Sequence, residues 1–272
     1  MDSRLLKRKL LIAPFLFWFL FFIVGPICLV VFVSFAKRTP LGEIEATFTT
    51  EAYHTLFDVL YLRVLLITVA FAAANTVVTL LLAYPLSYFL SRLKPSTRMW
   101  VLTLVLVPFW TSFLIRILAF MDLLRLKPFG LDWIYTAKGV LGALVYNYLP
   151  FAVLPIFSAM EKVDPSHIEA ARDLGASKRQ VLVKVLWPLT RGGVFAAALF
   201  VFIPSLGEFL IPDLVGGGQY FLLGSFLHNQ FMTARNWPLG AATIVLLLTV
   251  TLVFTLFLSL GDKSEHEKAL VG

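Results

Sequence analysis

Glu208, Asp122, Asp213 and Arg116 stand within or at the ends of long apolar stretches, and these charged groups are where the sequence can do chemistry. A carboxylate beside hydrocarbon can hold an amine cation in passage. Glu208, next to Gly207, is the best placed for that, whereas Asp122 and Asp213 read as weaker candidates at an outer rim. Arg116 differs in kind, because a charge at the centre of a membrane helix costs about 2.5–3.5 kcal/mol on insertion scales and must face protein or water. Arg116 reads as snorkelling outward or pairing with Asp122 or Glu208. Trp110, Phe113, Ile117 and Phe120 follow helical spacing. Aromatic faces attract ammonium groups by about 0.5–2 kcal/mol. Bundle packing explains the same stripe with no ligand, Trp110 being the best exception.

Bond-making chemistry has no foothold. The chain has no G-x-x-x-x-G-K-[S/T] phosphate loop, G-x-S-x-G elbow or H-E-x-x-H pair, so ATP is not expected to bind here as it does in a P-loop ATPase. Its four histidines are scattered over different segments, and Cys28 is its only cysteine, so neither an internal disulfide nor a cysteine-built metal cluster can form. No cofactor is expected on this chain, and an enzyme is not the expected reading.

The elements that must position these residues follow from composition. Of 272 residues, 59% are hydrophobic and 14% charged, against about 45–50% and 25% in soluble domains. So few charges cannot cover a water-facing surface, and the solvent must be largely lipid. The net charge of +7 sits at the ends of apolar segments, where it orients helices, and no nucleic-acid partner is expected. A helix needs about 20 apolar residues to cross the hydrocarbon. Six runs meet that length: Leu10 to Phe35, Val64 to Leu90, Met99 to Leu124, Gly139 to Met160, Gly193 to about Ile211, and Trp237 to Leu260. The first is too long for a signal peptide and lacks a small-x-small cleavage site. The expected fold is all-α, a polytopic membrane protein with about six transmembrane helices in a single domain spanning residues 1–272.

With the N-terminus inside, fifteen lysines and arginines fall in inner segments and seven in outer ones, with Arg116 left inside a span. This places both termini in the cytoplasm. Lys37 and Arg38, directly after the first span, run against the rule. Two outer loops carry structure of their own. Thr49 to Leu62 reads as an interfacial or external helix. After the glycine run 216–218, the apolar-rich stretch Tyr220 to Met232 reads as a segment that dips back or lies on the bundle.

The most informative stretch is cytoplasmic, from Glu161 to Arg191. Asp164 before Pro165 starts a helix, and Gly175 ends it in the left-handed conformation. Ser177 and Gln180 have the spacing of a capping box that opens a second helix, with Val181, Leu182, Val185 and Leu186 on one face and Pro188 closing it before the fifth span. A bent pair with small residues at Ala170, Ala171, Gly175 and Ala176 makes a narrow, rigid knob for another protein's groove; an ordinary connection between two spans is the alternative.

Within this stretch, EAARDLGASKRQVLVKVLWPL resembles the EAA motif of ATP-binding-cassette (ABC) importer permeases. Glu169, Ala170, Ala171, Gly175 and Pro188 hold the motif positions, with Arg172 and Asp173 inside it; Val185 and Trp187 stand where that family usually has Ile and Leu. The runs PFWTSFLIR, YNYLPFAVLPIF and FIPSLGEFLIPDLVGG look most like those of spermidine/putrescine permeases, and permeases for ferric iron, thiosulfate, opines or aminophosphonates share parts of them. The resemblance implies a type I importer permease of the bacterial inner membrane. Its loop, about residues 161–191, would dock on a cytoplasmic ATPase. The implied partners are a second homologous permease, two copies of the ATPase, which carry ATP and Mg, and a periplasmic substrate-binding protein. An ion-driven secondary transporter and a membrane scaffold are the rival classes.

Overall fold

The computed structural model describes residues 12–40, 42–127, 130 and 132–271, with side chains as far as residue 256. Arg4, Lys7, Arg8, Lys9 and Leu10 lie outside the described residues, as do the side chains of Lys263 and Lys268. The fold is almost entirely helical, and its chain contacts divide it into two compact units.

The first unit comprises residues 1–63 and 226–252. Helix α1, Ile12–Ser34, is apolar on every side and long enough to cross a bilayer. Ser34 closes it, its hydroxyl 2.7 Å from that of Tyr53, while Phe35 stacks on Phe48. A short antiparallel hairpin follows, β1 Lys37–Arg38 with β2 Ile44–Glu45, in the register Lys37 to Glu45 and Arg38 to Ile44. The helix expected over Thr49 to Leu62 is present but short. Helix α2 covers Glu51–Leu56, and after a turn at Phe57 and Asp58 the chain enters α3, Val59–Arg92. The second span therefore begins five residues earlier than its apolar run suggested, because helical bonding continues through Arg63.

The second unit comprises residues 64–225 and 253–272 and is built round α6, Ala137–Glu161. Val140, Ala143, Leu144, Ala152, Val153 and Ile156 of α6 are fully buried against Ala83 and Leu90 of α3 and the helices that follow. The helix α8, Lys178–Gly207, packs most closely on it: a Cβ on Gly193 would stand 2.5 Å from Ala159 Cβ and 2.7 Å from the Pro155 carbonyl oxygen. Small residues let backbones approach in this way where lipid gives no hydrophobic drive for association. Polar side chains add cross-links. Asn75 donates to Ser205 at 2.8 Å and accepts from Thr79 at 3.1 Å, and Ser87 donates to the Val153 carbonyl.

The expected third span is not one helix. Helix α4, Pro95–Leu106, tightens into a 3₁₀ turn, Val107–Trp110, and α5, Phe113–Arg125, leaves at 101° to it. Pro108 cannot donate to the helical ladder, and Thr111 and Ser112 take extended conformations. The Thr111 hydroxyl then bonds the Pro108 carbonyl at 2.7 Å. A second difference concerns Pro188, which was expected to close a short helix. The chain instead runs on as α8 through a widened turn, Leu182–Leu186, in which the Trp187 amide reaches the Leu182 carbonyl five residues back. Such a turn accommodates a residue that lacks an amide hydrogen. The fifth span also stops at Gly207 rather than Ile211. Glu208 is extended, α9 spans Leu210–Val215, and after the glycine run α10 covers Leu223–His228. The last helix, α11, is Trp237–Val271.

Candidate functional site: an exposed knob and a capped carboxylate

Between α6 and α8 the chain forms a knob, and its local chemistry is that read from the sequence. The Asp164 carboxylate accepts the Ser166 amide at 2.9 Å, which opens α7, Pro165–Asp173; that bond holds the Asp164 carboxyl below the usual carboxylate range. At the other end Gly175 has φ +82°, with its amide on the Arg172 carbonyl and the Ala176 amide on that of Ala171. Ser177 and Gln180 form the reciprocal capping box, at 2.8 and 3.3 Å. Ile168, Val181 and Leu186 are buried together with Val163, Ala171 and Ala176 beside them, a small core that stiffens the bend. Leu182 of the expected apolar face is exposed instead, at the start of the widened turn and outside that core.

The outer surface of the knob shows Glu169, Ala170, Arg172, Asp173 and Gly175. At its tip Leu174 is 90% exposed. Sequence reasoning had passed over this leucine, which stands between the helix and the glycine that ends it. Pro188 lies on α8, exposed and outside the bend.

Glu208 is held by three donors. Tyr148 of α6 donates to its Oε2 at 3.1 Å, and the Leu210 and Ile211 amides reach its Oε1 at 3.1 and 3.4 Å. It thus caps α9 while interrupting α8, and the half-buried carboxylate sits where two helix ends meet. Nothing near Tyr148 in sequence announces this bond, which joins residues sixty apart. Asp213, on α9, accepts the Ser225 hydroxyl at 2.6 Å.

The remaining candidates are not gathered there. Asp122 is exposed and paired with Arg125 at 2.8 Å. Among the described residues Arg116 has no carboxylate within ion-pairing distance. The expected pairing with Asp122 or Glu208 is therefore replaced: Arg116 is buried, with its guanidinium 4.7 Å from the Phe109 ring centre and 5.7 Å from that of Phe113. Trp110 is 80% exposed. It precedes the sharp bend, so it does not continue the stripe of Phe113, Ile117 and Phe120 on α5. Among the described residues, no group of three His, Cys, Asp or Glu side chains is placed to hold a metal ion.

These features meet in one family. Residues 76–264, which include both the knob and Glu208, match the family described as the binding-protein-dependent transport system inner membrane component. The chain belongs to that family. It is an ABC importer permease subunit of the inner membrane, not an enzyme. This permease is 38% identical over 254 residues to the spermidine/putrescine transport system permease protein PotB of Escherichia coli K12, covering 89% of this chain and 91% of the relative. Against the PotB of Haemophilus influenzae the identity is 36% over 264 residues, covering 92% of each. The permease fold also resembles a chain of a bacterial ABC transporter that imports the acidic polysaccharide alginate. The TM-score is 0.68 at 15% identity, covering 96% of this chain and 98% of that one.

Proposed function

We propose that this permease subunit carries polyamines of the spermidine and putrescine type inward, and that Glu208 meets their ammonium groups. The relatives at 36–38% identity are named for those amines. The observation that carries the reading is the Glu208 carboxylate, fixed by Tyr148 and two backbone amides at a break between helices. A carboxylate already positioned by three donors loses little freedom in binding a passing cation. Asp213 stands five residues on as a second anion in the same junction. Trp110 and Asp122, both exposed, suit an approach rather than a binding point.

The knob is the handle of the machine in this reading. Glu169, Ala170, Arg172, Asp173 and Gly175 face a groove of a cytoplasmic ATPase, two copies of which hold ATP and Mg, and Ala171 packs behind them on the knob's small core. This chain pairs with a second, homologous permease and receives substrate from a periplasmic binding protein. Both termini are cytoplasmic. One of the similar solved structures is a transporter in complex with its oligosaccharide-bound periplasmic protein, which supports that side of the assembly. ATP-driven closure of the ATPase pair moves the knobs, and the cavity between the permeases opens inward by alternating access.

Reconstituted vesicles test both parts. Labelled spermidine should enter only with ATP and binding protein present, and unlabelled putrescine, but not an opine or ferric iron, should compete. Uptake driven by an ion gradient with no ATPase in the preparation would overturn the importer reading; competition by an unrelated solute alone would overturn the substrate.

A further inference from the structure

Lys37 and Arg38 follow α1 directly, on the side where the charge bias leaves few cations, and nothing in the transport cycle uses them. They line a cavity of about 530 Å³ in the first unit, with Thr39, Thr49, Glu51 and Asn236 among its walls. That volume lies within the range of ligand sites, about 300–1,000 Å³. Its walls are rich in donors. The Thr39 hydroxyl accepts the Glu43 amide at 3.0 Å, and that of Thr49 accepts the Glu51 amide at 3.2 Å. The Asn236 carboxamide oxygen faces the Leu239 amide at 3.4 Å. Each of the three spends an acceptor and keeps a proton to donate. Arg38 gives one of its five N–H donors to the Ala234 carbonyl at 2.6 Å and keeps the others. Lys37 has no ion pair among the described residues, although Glu45 stands opposite it in the hairpin register. Glu51 is likewise without one.

The cavity therefore offers donors for an oxyanion around Lys37 and one free carboxylate for a cation. Ala36 also lines a second, apolar groove of about 190 Å³, walled by Val31, Phe32, Phe35 and Phe48 at the last turn of the exposed helix α1. A polar pocket and an apolar groove that share a wall at the end of a membrane helix match the two parts of a lipid at the edge of the hydrocarbon.

We propose that the cavity beside the α1 hairpin is a specific site for a membrane phospholipid with a primary-amine headgroup. The phosphate meets Lys37 and the Thr39, Thr49 and Asn236 donors, the ammonium meets Glu51, and the upper acyl chain lies along Phe32 and Phe35. A phosphatidylethanolamine satisfies all three; a phosphatidylglycerol lacks the cation, and a phosphatidylcholine has a cation with no hydrogen to donate.

The test uses the permease assembled with its partner subunits, in nanodiscs of phosphatidylcholine doped with either phosphatidylethanolamine or phosphatidylglycerol. Lipid retained after release is read by native mass spectrometry. Phosphatidylethanolamine should be retained over phosphatidylglycerol by about tenfold, the scale of one charge-assisted hydrogen bond. Lys37→Gln should lower retention of both lipids, and Glu51→Gln should erase the preference while sparing phosphatidylglycerol. Thr39→Val, which removes a donor and no charge, should give a smaller loss of both. Equal retention by the parent and all three variants would overturn the site. If tail-free phosphoethanolamine displaces the bound lipid at equal concentration, the pocket serves a soluble ligand and the lipid assignment fails.

Discussion

Tyr148 of α6 donates a hydrogen bond to Glu208 at the junction of α8 and α9, 3.1 Å from oxygen to oxygen. The bond ties the central helix of the second unit to the one point where its neighbour is interrupted. The two residues then predict different phenotypes. Glu208→Gln keeps the shape and a hydrogen-bond acceptor but removes the charge, so spermidine uptake should fall by about tenfold or more, the equivalent of about 1.4 kcal/mol, while thermal stability is nearly unchanged. Tyr148→Phe leaves the charge and two backbone donors in place, so uptake should fall only a few-fold. Steady-state uptake of both variants at matched expression checks this, and equal kinetics for Glu208→Gln and the parent would remove Glu208 from the path.

Gly175 makes a second prediction about mechanics. A Cβ there meets no atom within 4 Å, so substitution costs backbone strain alone at φ +82°. That strain is about 1–2 kcal/mol for most residues and less for Asn, which tolerates the left-handed region. Gly175→Val should therefore uncouple ATPase activity from transport with the membrane helices still folded, and Gly175→Asn should keep a substantial part of both. Substrate-stimulated ATP hydrolysis in the reconstituted complex distinguishes the two. A Val variant as active as the parent would mean that the knob's shape does not matter for docking.

What was legible in the sequence was what is local. Asp164, Gly175, Ser177 and Gln180 act through the backbone within a few residues, and each was found in its expected role. The approximate places of the apolar helices were legible in the same way, since about 20 apolar residues must span the hydrocarbon wherever they fall, but their ends and lengths were not. The bend at Thr111 was hidden because apolar length is blind to a break. Pro108 can kink a membrane helix slightly or end it, and only the extended conformations of Thr111 and Ser112 decide which. Pro188 misled in the opposite direction, as the widened turn ahead of it let α8 continue. The partners of Glu208 and Arg116 were illegible for a third reason. Tyr148 lies sixty residues from Glu208, and Phe109 lies beyond a bend from Arg116, so their meeting depends on packing that no local pattern encodes.

Arg116 offers a test of that packing. Its guanidinium lies over Phe109, across the bend that separates α4 from α5, and no carboxylate offsets it among the described residues. Cation–π attraction of about 2 kcal/mol when desolvated then helps fix the 101° angle between the two helices. Phe109→Leu removes the ring while keeping apolar bulk. It should lower the apparent melting temperature of the detergent-solubilised permease and speed labelling of a cysteine placed at Thr111. Arg116→Lys should do the same to a smaller degree, because an ammonium stacks less completely than a planar guanidinium. Labelling rates at the bend that stay the same in both variants would show that Pro108 and the extended pair alone hold the angle.

The close approach of α6 and α8 at Gly193 carries the last prediction, and it separates stability from transport. An added Cβ would press on Ala159 Cβ at 2.5 Å and on the Pro155 carbonyl oxygen at 2.7 Å. Neither atom is the end of a flexible chain, so the helices must part. Overpacking of this kind costs about 1–3 kcal/mol, and Gly193→Ala should already lower the melting temperature, with Gly193→Val worse. Ala159→Gly in the Gly193→Ala background removes one of the two clashes and should restore part of the loss, whereas Ala159→Gly alone should not stabilise. Because α8 carries the knob at one end and Glu208 just past the other, a forced separation at Gly193 should also weaken coupling. The double variant should recover stimulated ATP hydrolysis together with stability. Recovery of stability without recovery of coupling would mean that the knob and Glu208 communicate by a route other than the α6–α8 contact.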